Sequence, residues 1–340
     1  LKVCNLEAQD EIASYIAESN DETARPDWKA TVKHRIRSPK AKRLQSMICL
    51  EDVSDDALAD FVEMDNICGI YEDGSVRTIS YNWGSDRINQ ESLPLDGVYE
   101  YSFSNGSGVD VYVIDTGINA GHIEFLGDRT VANVWSMFHD GCDPVCAEDD
   151  DDLINVDDNG HGTHVAAVVG GRNVGVATNA NLYGVKALNG QGVGTWSAVL
   201  NAMAWVSEQI AGPTVVSCSI GGSYSNILND AVDDLFDAGA TVVVAAGNTG
   251  TDACGLSPAS AEGAITVGAT TKDDLVAAYS AYGECVDIYA PGSAISSAYA
   301  LSTNQYITLS GTSMAAPHVS GAAALILSMG DTADVRRALA

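Results

Sequence analysis

Ser313, within Gly311-Thr-Ser-Met-Ala-Ala-Pro-His318, precedes an apolar helical run formed by Ala315, Val319, Ala322, Ala323, Leu325 and Ile326. A serine at a helix start has unbonded backbone N–H groups and the positive end of the helix dipole beside it, which favours negative charge developing there. The same position also suits an ordinary N-cap. Nucleophilic chemistry therefore needs partners: a base, a group that orients the base, and donors for an oxyanion. Of six histidines, His161 and His164 open a helix-like run in Asp158-Asn-Gly-His-Gly-Thr-His-Val-Ala166. Gly160 and Gly162 keep the surroundings of His161 clear of side chains, as a base that meets substrate requires. His164, one turn further, reads as a residue that packs or hydrogen-bonds structurally.

The orienting carboxylate should end a buried strand. Val109-Asp-Val-Tyr-Val-Ile-Asp115-Thr-Gly is β-rich and closes on an acid and a turn glycine; a simple Asx-turn is the other reading of Asp115. Thr241-Val-Val-Val-Ala-Ala-Gly-Asn248 likewise delivers an amide just past a strand, where it serves as oxyanion donor or as turn residue. The chain order is Asp115, His161, Ser313. This is neither the Ser…Asp…His order of α/β-hydrolases nor the His…Asp…Ser order of chymotrypsin-like enzymes, and Gly-x-Ser-x-Gly fails because Ala315 replaces the second glycine.

Val113-Ile-Asp115-Thr-Gly-Ile, His161-Gly-Thr-His-Val-Ala and Gly311-Thr-Ser313-Met-Ala-Ala-Pro-His-Val, in this order, resemble the signatures of the subtilisin-like serine peptidases, in the proteinase K-like and aqualysin-like branch. The resemblance runs from Trp83 to about Ala324, with Ala167 standing where glycine is usual. It implies a secreted endopeptidase acting through an acyl-enzyme, with Asp115, His161 and Ser313 catalytic and Asn248 in the oxyanion hole. It further implies that Gly192-Val193-Gly194 and Ser219-Ile220-Gly221 are edge strands that hold a peptide by backbone pairing. Trp196 would lie near the pocket for the fourth residue before the scissile bond. Ala245, Ala246 and Gly247 would line an open primary pocket with a broad preference for apolar or aromatic residues. Plain glycine turns are the other reading of the two segments.

The same resemblance pairs Cys254 with Cys285 and leaves a second family bridge without cysteines, since Asp158 and Asn189 occupy its ends. It implies structural calcium at two places. One is a loop with the oxygen-bearing side chains of Asp86, Asn89, Gln90 and Asp96; the other joins Asp287 to the carbonyls of Glu262 and Ala264. Surface carboxylates without ions are the competing reading. Catalysis itself needs no cofactor. Of the other cysteines, Cys142 and Cys146 suggest a small local bridge or, less simply, a zinc site. Cys218 reads as a buried thiol, and Cys4, Cys49 and Cys68 have no assignable pairing. The acidic run Glu148 to Asp152 reads as a lure for calcium and not a site, since consecutive acids on a flexible loop rarely converge on one ion.

The elements that must position these residues follow from periodicity. Apolar strands are expected at 109–114, 182–188, 214–218, 241–246 and 264–268, and helices near 161–170, 195–210, 226–238 and 313–329. Alternation of this kind predicts an α/β fold with a mostly parallel central sheet and helices on both faces. Ligands of such folds bind beyond the carboxyl ends of strands, where Asp115 and Asn248 fall.

Residues 1–76 have a different character. They hold Met47-Ile-Cys-Leu50 as a strand, Asp55 to Asp65 as a helix with Leu58, Phe61 and Val62 on one face, and a strand from Cys68. The basic residues from Arg25 to Arg43 read as a solvated loop, since only Trp28 among them offers stacking. This region resembles the family's inhibitory propeptide, an intramolecular inhibitor, with cleavage near Gly74 to Ser80; the peptidase domain is then 77–340. Such a propeptide left in the cleft would instead make the complex a binding regulator, and a metal hydrolase using His161 and His164 is a third reading.

The net charge is −29, of which −22 lies in residues 77–340, which argues against nucleic acid or an anionic membrane as partner. No apolar run approaches the length of a bilayer span. Eight cysteines suit an oxidising, extracellular setting, and a monomer acting on proteins or peptides is expected. The chain begins at Leu1 without a leader and stops at Ala340 soon after the serine helix, so a signal peptide is expected upstream or removed and the domain looks shortened.

Overall fold

The computed structural model describes residues 2–3, 6–20, 29–37, 46–69, 82–99, 104–138, 157–330 and 335–339. The chain separates into two compact units, Leu1–Arg77 and Thr78–Ala340. The first runs β1 (Lys2–Val3), α1 (Leu6–Ser19), β2 (Thr31–Arg37), β3 (Ser46–Glu51), α2 (Asp55–Glu63) and β4 (Ile67–Gly69). Its four strands form an antiparallel sheet in the order β2-β3-β1-β4, the split βαβ arrangement. Ile12 and Ile16 of α1 and Ala57 and Phe61 of α2 bury against Ile48 of β3.

Two expectations are corrected in this unit. Thr31–Arg37 is a strand and not a loop, because its β-branched and apolar residues alternate with the charges and half of its surface can face inward. In α2, Phe61 is buried as expected, but Leu58 and Val62 are exposed and Ala57, one turn before Phe61, takes their place in the core. The expected cleavage segment 74–80, Cys4, Cys142, Cys146 and Glu148 to Asp152 lie outside the described residues. Cys68 is disulfide-bonded.

The second unit carries α3 (Trp83–Ile88), β5 (Asp110–Asp115), β6 (Val131–Ser136), α4 (His161–Gly170), β7 (Asn181–Lys186), α5 (Trp196–Gln209) and β8 (Thr214–Cys218). It continues through β9 (Gly222–Ser223), α6 (Asn226–Asp237), β10 (Thr241–Ala245), β11 (Leu256–Ser257), β12 (Ala264–Thr270) and β13 (Ile288–Pro291). It ends with β14 (Ile295–Ala298), β15 (Tyr306–Leu309), α7 (Thr312–Ser328) and α8 (Val335–Leu339). Seven strands make one sheet in the order β13-β12-β10-β8-β5-β7-β6, and every pairing in it is parallel. Strands buried on both faces need near-continuous apolar sequence, which is what Val215, Val216 and Val242 to Val244 supply.

Side-chain alternation splits the core in two. Val111 and Val113 point to the face covered by α4 and α7, where they meet Val165, Val169 and Val319. Tyr112 and Ile114 point to the face covered by α5 and α6, where they meet Met203, Val206 and Val216. The four long helices and five strands expected from sequence are present within one or two residues at each end. The edge strands β6 and β13 were not anticipated, β6 being only partly buried and β13 only four residues long.

Candidate active site

β5 lies between β7 and β8, where the strand order runs outward in opposite directions, and this switch point places Asp115 at the mouth of a crevice. The Asp115 side chain is fully buried. Its Oδ1 accepts from Thr116 N at 2.8 Å, and both carboxylate oxygens meet His161 Nδ1, at 2.8 and 2.9 Å. An ionised carboxylate only accepts, so Nδ1 carries the proton and Nε2 faces the cleft with its lone pair. Burial alone would depress the His161 pKa. The Asp115 charge and hydrogen bond, with a smaller effect of Asp157, outweigh burial and hold it above the ordinary 6.5.

His161 opens α4 behind Gly160, whose φ of 106° suits glycine. Gly162 is needed for close approach: a Cβ there would stand 2.2 Å from Gly117 O. The residue that organises this turn is Asp157, which sequence reasoning passed over. Its Oδ1 accepts from Thr116 Oγ1, Asn159 N and Gly160 N, and its Oδ2 from Thr163 N and Oγ1. One carboxylate thus ties the residue after Asp115 to both sides of His161. The recognisable signal was an acid four residues before His161 at a helix start. Asp157→Ala leaves five donors without their acceptor, four of them buried, so the protein should lose about 3–5 kcal/mol of stability. A thermal melt of the purified variant checks this, and an unchanged midpoint would contradict the assigned role.

Ser313 sits in the first turn of α7, whose backbone N–H groups have no intrahelical acceptor. Pro317, four residues on, has no N–H to give to the Ser313 carbonyl. Ser219 Oγ takes that place, donating to Ser313 O at 3.0 Å, while Ser313 Oγ donates to Ser219 O at 3.1 Å. The Ser313 hydroxyl therefore rests on the Ser219 carbonyl at the pocket wall; hydrogen bonds of a serine–histidine pair commonly tighten only with substrate. Asn248 Oδ1 is held by Thr312 N at 2.8 Å and Thr312 Oγ1 at 3.1 Å. Those two donors fix the amide so that Nδ2 is the free donor beside Ser313.

A cleft of about 770 Å³ is lined by His161, Asn248 and Ser313 together with Gly192, Val193, Gly194 and Trp196. An adjoining pocket of about 150 Å³ is lined by Ser219, Ile220, Gly221, Ala245, Ala246 and Gly247. All these expected residues are gathered in one place. Among the described residues neither 192–194 nor 219–221 pairs in a ladder; both line the cleft. The N–H and C=O of Val193 both close on Asn189, so Asn189 shapes this wall. The Trp196 ring covers Gly222, where a Cβ would come within 2.4 Å.

Behind the dyad, buried Lys186 at the end of β7 donates to Thr116 O at 2.6 Å and to Asp158 Oδ1 at 2.7 Å. This ion pair, with Asn159 Nδ2 on Gly190 O, joins the histidine turn to the following loop where the second family bridge has no cysteines. Cys254 and Cys285 do form a disulfide, and Cys218 is a buried free thiol. Buried His164 bonds Ile295 O through Nε2, a structural role as expected.

The two places expected to hold calcium differ. Asp86 Oδ2 accepts from Gly97 N, Asp96 Oδ1 from Val98 N, and Gln90 Oε1 from Asp96 N, so the loop from Asn89 to Asp96 folds around its acids. The Asp86 pKa is raised, by burial and by the neighbouring Asp96 charge, against the Gly97 hydrogen bond. Two carboxylates drawn together in an oxygen-lined loop fit a divalent cation. At the other place Asp287 Oδ2 is engaged by Thr266 N, and the Glu262 and Ala264 carbonyls already accept from Arg336. Among the described residues, no group of three or more His, Cys, Asp and Glu forms a metal cluster.

The parallel sheet, the Asp–His pair and the serine at a helix start define a serine-peptidase domain of the subtilisin type. The chain belongs to the subtilase family: the profile described as "Subtilase family" matches residues 106–338. It is 44% identical over 280 residues to alkaline serine exoprotease A of Vibrio alginolyticus, covering 82% of this chain and 49% of that protein. It is 43% identical over 286 residues to the extracellular serine proteinase of Thermus sp. (strain Rt41A), covering 83% and 66%. The chain thus spans about half to two thirds of the length of these relatives. The crystal structure of a cold adapted subtilisin-like serine proteinase is similar, with a TM-score of 0.69 and 41% identity over 76% of this chain and 90% of that one.

Proposed function

We propose that the protein is a secreted serine endopeptidase, made as a self-processing zymogen, that cuts protein chains after apolar or aromatic residues. The observation that carries this reading is the doubly hydrogen-bonded Asp115–His161 pair sharing one cleft with Ser313 and Asn248. His161 Nε2 takes the Ser313 hydroxyl proton as Oγ attacks the scissile carbonyl carbon. The oxyanion is met by Asn248 Nδ2 and the Ser313 N–H. Collapse of this intermediate breaks the C–N bond; the proton passes from His161 to the leaving amine, and an acyl ester remains on Ser313. Water then repeats the sequence, releasing the acid and regenerating the serine. Asp115 keeps His161 in the tautomer this requires.

The pocket walls of Ala245, Ala246 and Gly247 carry no charge, which supports an apolar preference. The independent unit Leu1–Arg77 supports the propeptide reading, and the names of the relatives support secretion. Calcium would be held by Asp86, Asn89, Gln90 and Asp96 and would supply structural rigidity only.

A fluorophosphonate probe should label the processed protein at Ser313, with intact mass showing cleavage near residue 77, and should not label Ser313→Ala. Absence of labelling in processed, folded protein would overturn the reading.

A further inference from the structure

Three oxygen groups expected to hold a second calcium ion are brought together by the fold: the carbonyls of Glu262 and Ala264 and the Asp287 carboxylate. They surround a positive charge that the chain itself provides. Arg336, on the short helix α8, donates through Nη2 to Glu262 O at 3.0 Å and to Ala264 O in a shorter contact. Its Nη1 lies 3.8 Å from Asp287 Oδ1. The other Asp287 oxygen is fixed by Thr266 N at 2.8 Å, so the carboxylate is held in place toward the guanidinium.

We propose that Arg336 is a tethered cation that fills this site, so that the protein binds no calcium there and its stability does not depend on metal at this position. A guanidinium presents several N–H donors in a rigid plane and suits carbonyl and carboxylate oxygens at once. A calcium ion needs six to eight oxygens at about 2.3–2.6 Å and cannot share these three with a side chain already bonded to two of them. The cation's attraction for the carboxylate is retained, while the entropy of capturing an ion from solution is avoided because the ligand is covalently attached. The pairing also fastens α8 to the start of β12 and to the turn before β13, elements far apart in sequence. The side chains of Arg336 and Asp287 are only 45% and 33% exposed, so the contact is partly shielded from solvent.

The test compares calcium responses, because the loop at Asp86 and Asp96 is common to every variant and drops out of the comparison. Thermal midpoints are measured with excess chelator and with saturating calcium for the full chain in a Ser313→Ala background, which neither processes itself nor autolyses, and bound calcium is counted by equilibrium dialysis. Asp287→Asn should leave both the calcium-induced shift and the number of ions bound unchanged. Arg336→Gln should gain one bound ion and a larger calcium-induced shift, and adding Asp287→Asn to it should remove that gain. If Asp287→Asn lowers the calcium count in the chain that retains Arg336, a metal occupies the site and the proposal is overturned. It is equally overturned if folded Arg336→Gln gains no calcium. Should Arg336→Gln fail to fold, the Asp287→Asn calcium count decides alone.

Discussion

Replacing Ser313 with alanine should lower kcat by about a million-fold on a chromogenic peptide, and Asp115→Asn should lower it by about ten-thousand-fold. The two losses have different causes. Without Ser313 no acyl-enzyme can form, and only binding and the oxyanion donors remain. With asparagine at 115, one of the oxygens now facing His161 Nδ1 becomes an NH2 donor, so the tautomer with a bare Nε2 is no longer enforced. Because Asp115 is fully buried, solvent cannot restore the missing acceptor.

The pH profile adds a signature that a merely structural defect would not give. His161 must be neutral to take a proton, and Asp115 holds its pKa above 6.5. The acid limb of kcat/KM should therefore lie above 6.5 in the parent enzyme and move to lower pH in Asp115→Asn, as the stabilising charge on the imidazolium is removed. An acid limb that stays in place would remove Asp115 from its assigned role.

The second large effect is acid lability set by two histidines that do no chemistry. His318 is buried in α7; its Nδ1 meets Met314 O at 2.8 Å and its Nε2 meets Asn82 Nδ2 at 3.1 Å. Asn82 cannot turn over, because its Nδ2 also donates to Val174 O and its Oδ1 accepts from Gly84 N. Nε2 must therefore accept, and a protonated ring would set donor against donor. Burial pushes the His318 pKa down to about 4 against an ordinary 6.5. His164 is likewise lowered to about 4, first by burial and further by the neighbouring histidine charges.

Above pH 6.5 both rings are neutral in folded and unfolded chains, and their contribution is constant. As pH falls from about 6.5 toward 4, the unfolded chain takes up protons that the folded chain resists, and stability drops. The loss reaches about 3 kcal/mol per ring at most. Denaturant midpoints of the Ser313→Ala protein at pH 7 and pH 5 should differ accordingly, and His318→Gln should shrink that difference. An equal pH dependence in parent and variant would show that His318 does not titrate on unfolding. The consequence for the site is direct, since His318 ties α7, which carries Ser313, to the segment at Asn82.

The candidate site residues were legible in the sequence because each carries a local marker: an acid ending a β-rich run, a histidine between glycines, a serine before an apolar helix. Periodicity of valines and alanines located most of the sheet for the same reason, since strands covered on both faces cannot be polar. Asp157 and Lys186 were not legible. Their importance comes from partners such as Thr116, 41 and 70 residues away, and a lone acid or lysine in sequence looks the same whether buried or solvated. In α2 the sequence located Phe61 but favoured Leu58 and Val62 over Ala57 for a related reason, because the pattern allows two adjacent stripes and only packing against Ile48 chooses between them.

The sequence by itself determined the order Asp115, His161, Ser313 and the strand–helix alternation, because these rest on residue type and short-range spacing, while the Cys254–Cys285 pairing came from family resemblance. Only the tertiary structure decided how that chemistry is held. Parallel pairing of β5 between β7 and β8 sets Asp115 against His161. Pro317 leaves the Ser313 carbonyl to Ser219, and Arg336 closes on oxygens for which family resemblance implied an ion. Each of these depends on groups that meet across more than 40 residues of chain, a distance at which side-chain pattern carries no information about contact and packing carries all of it.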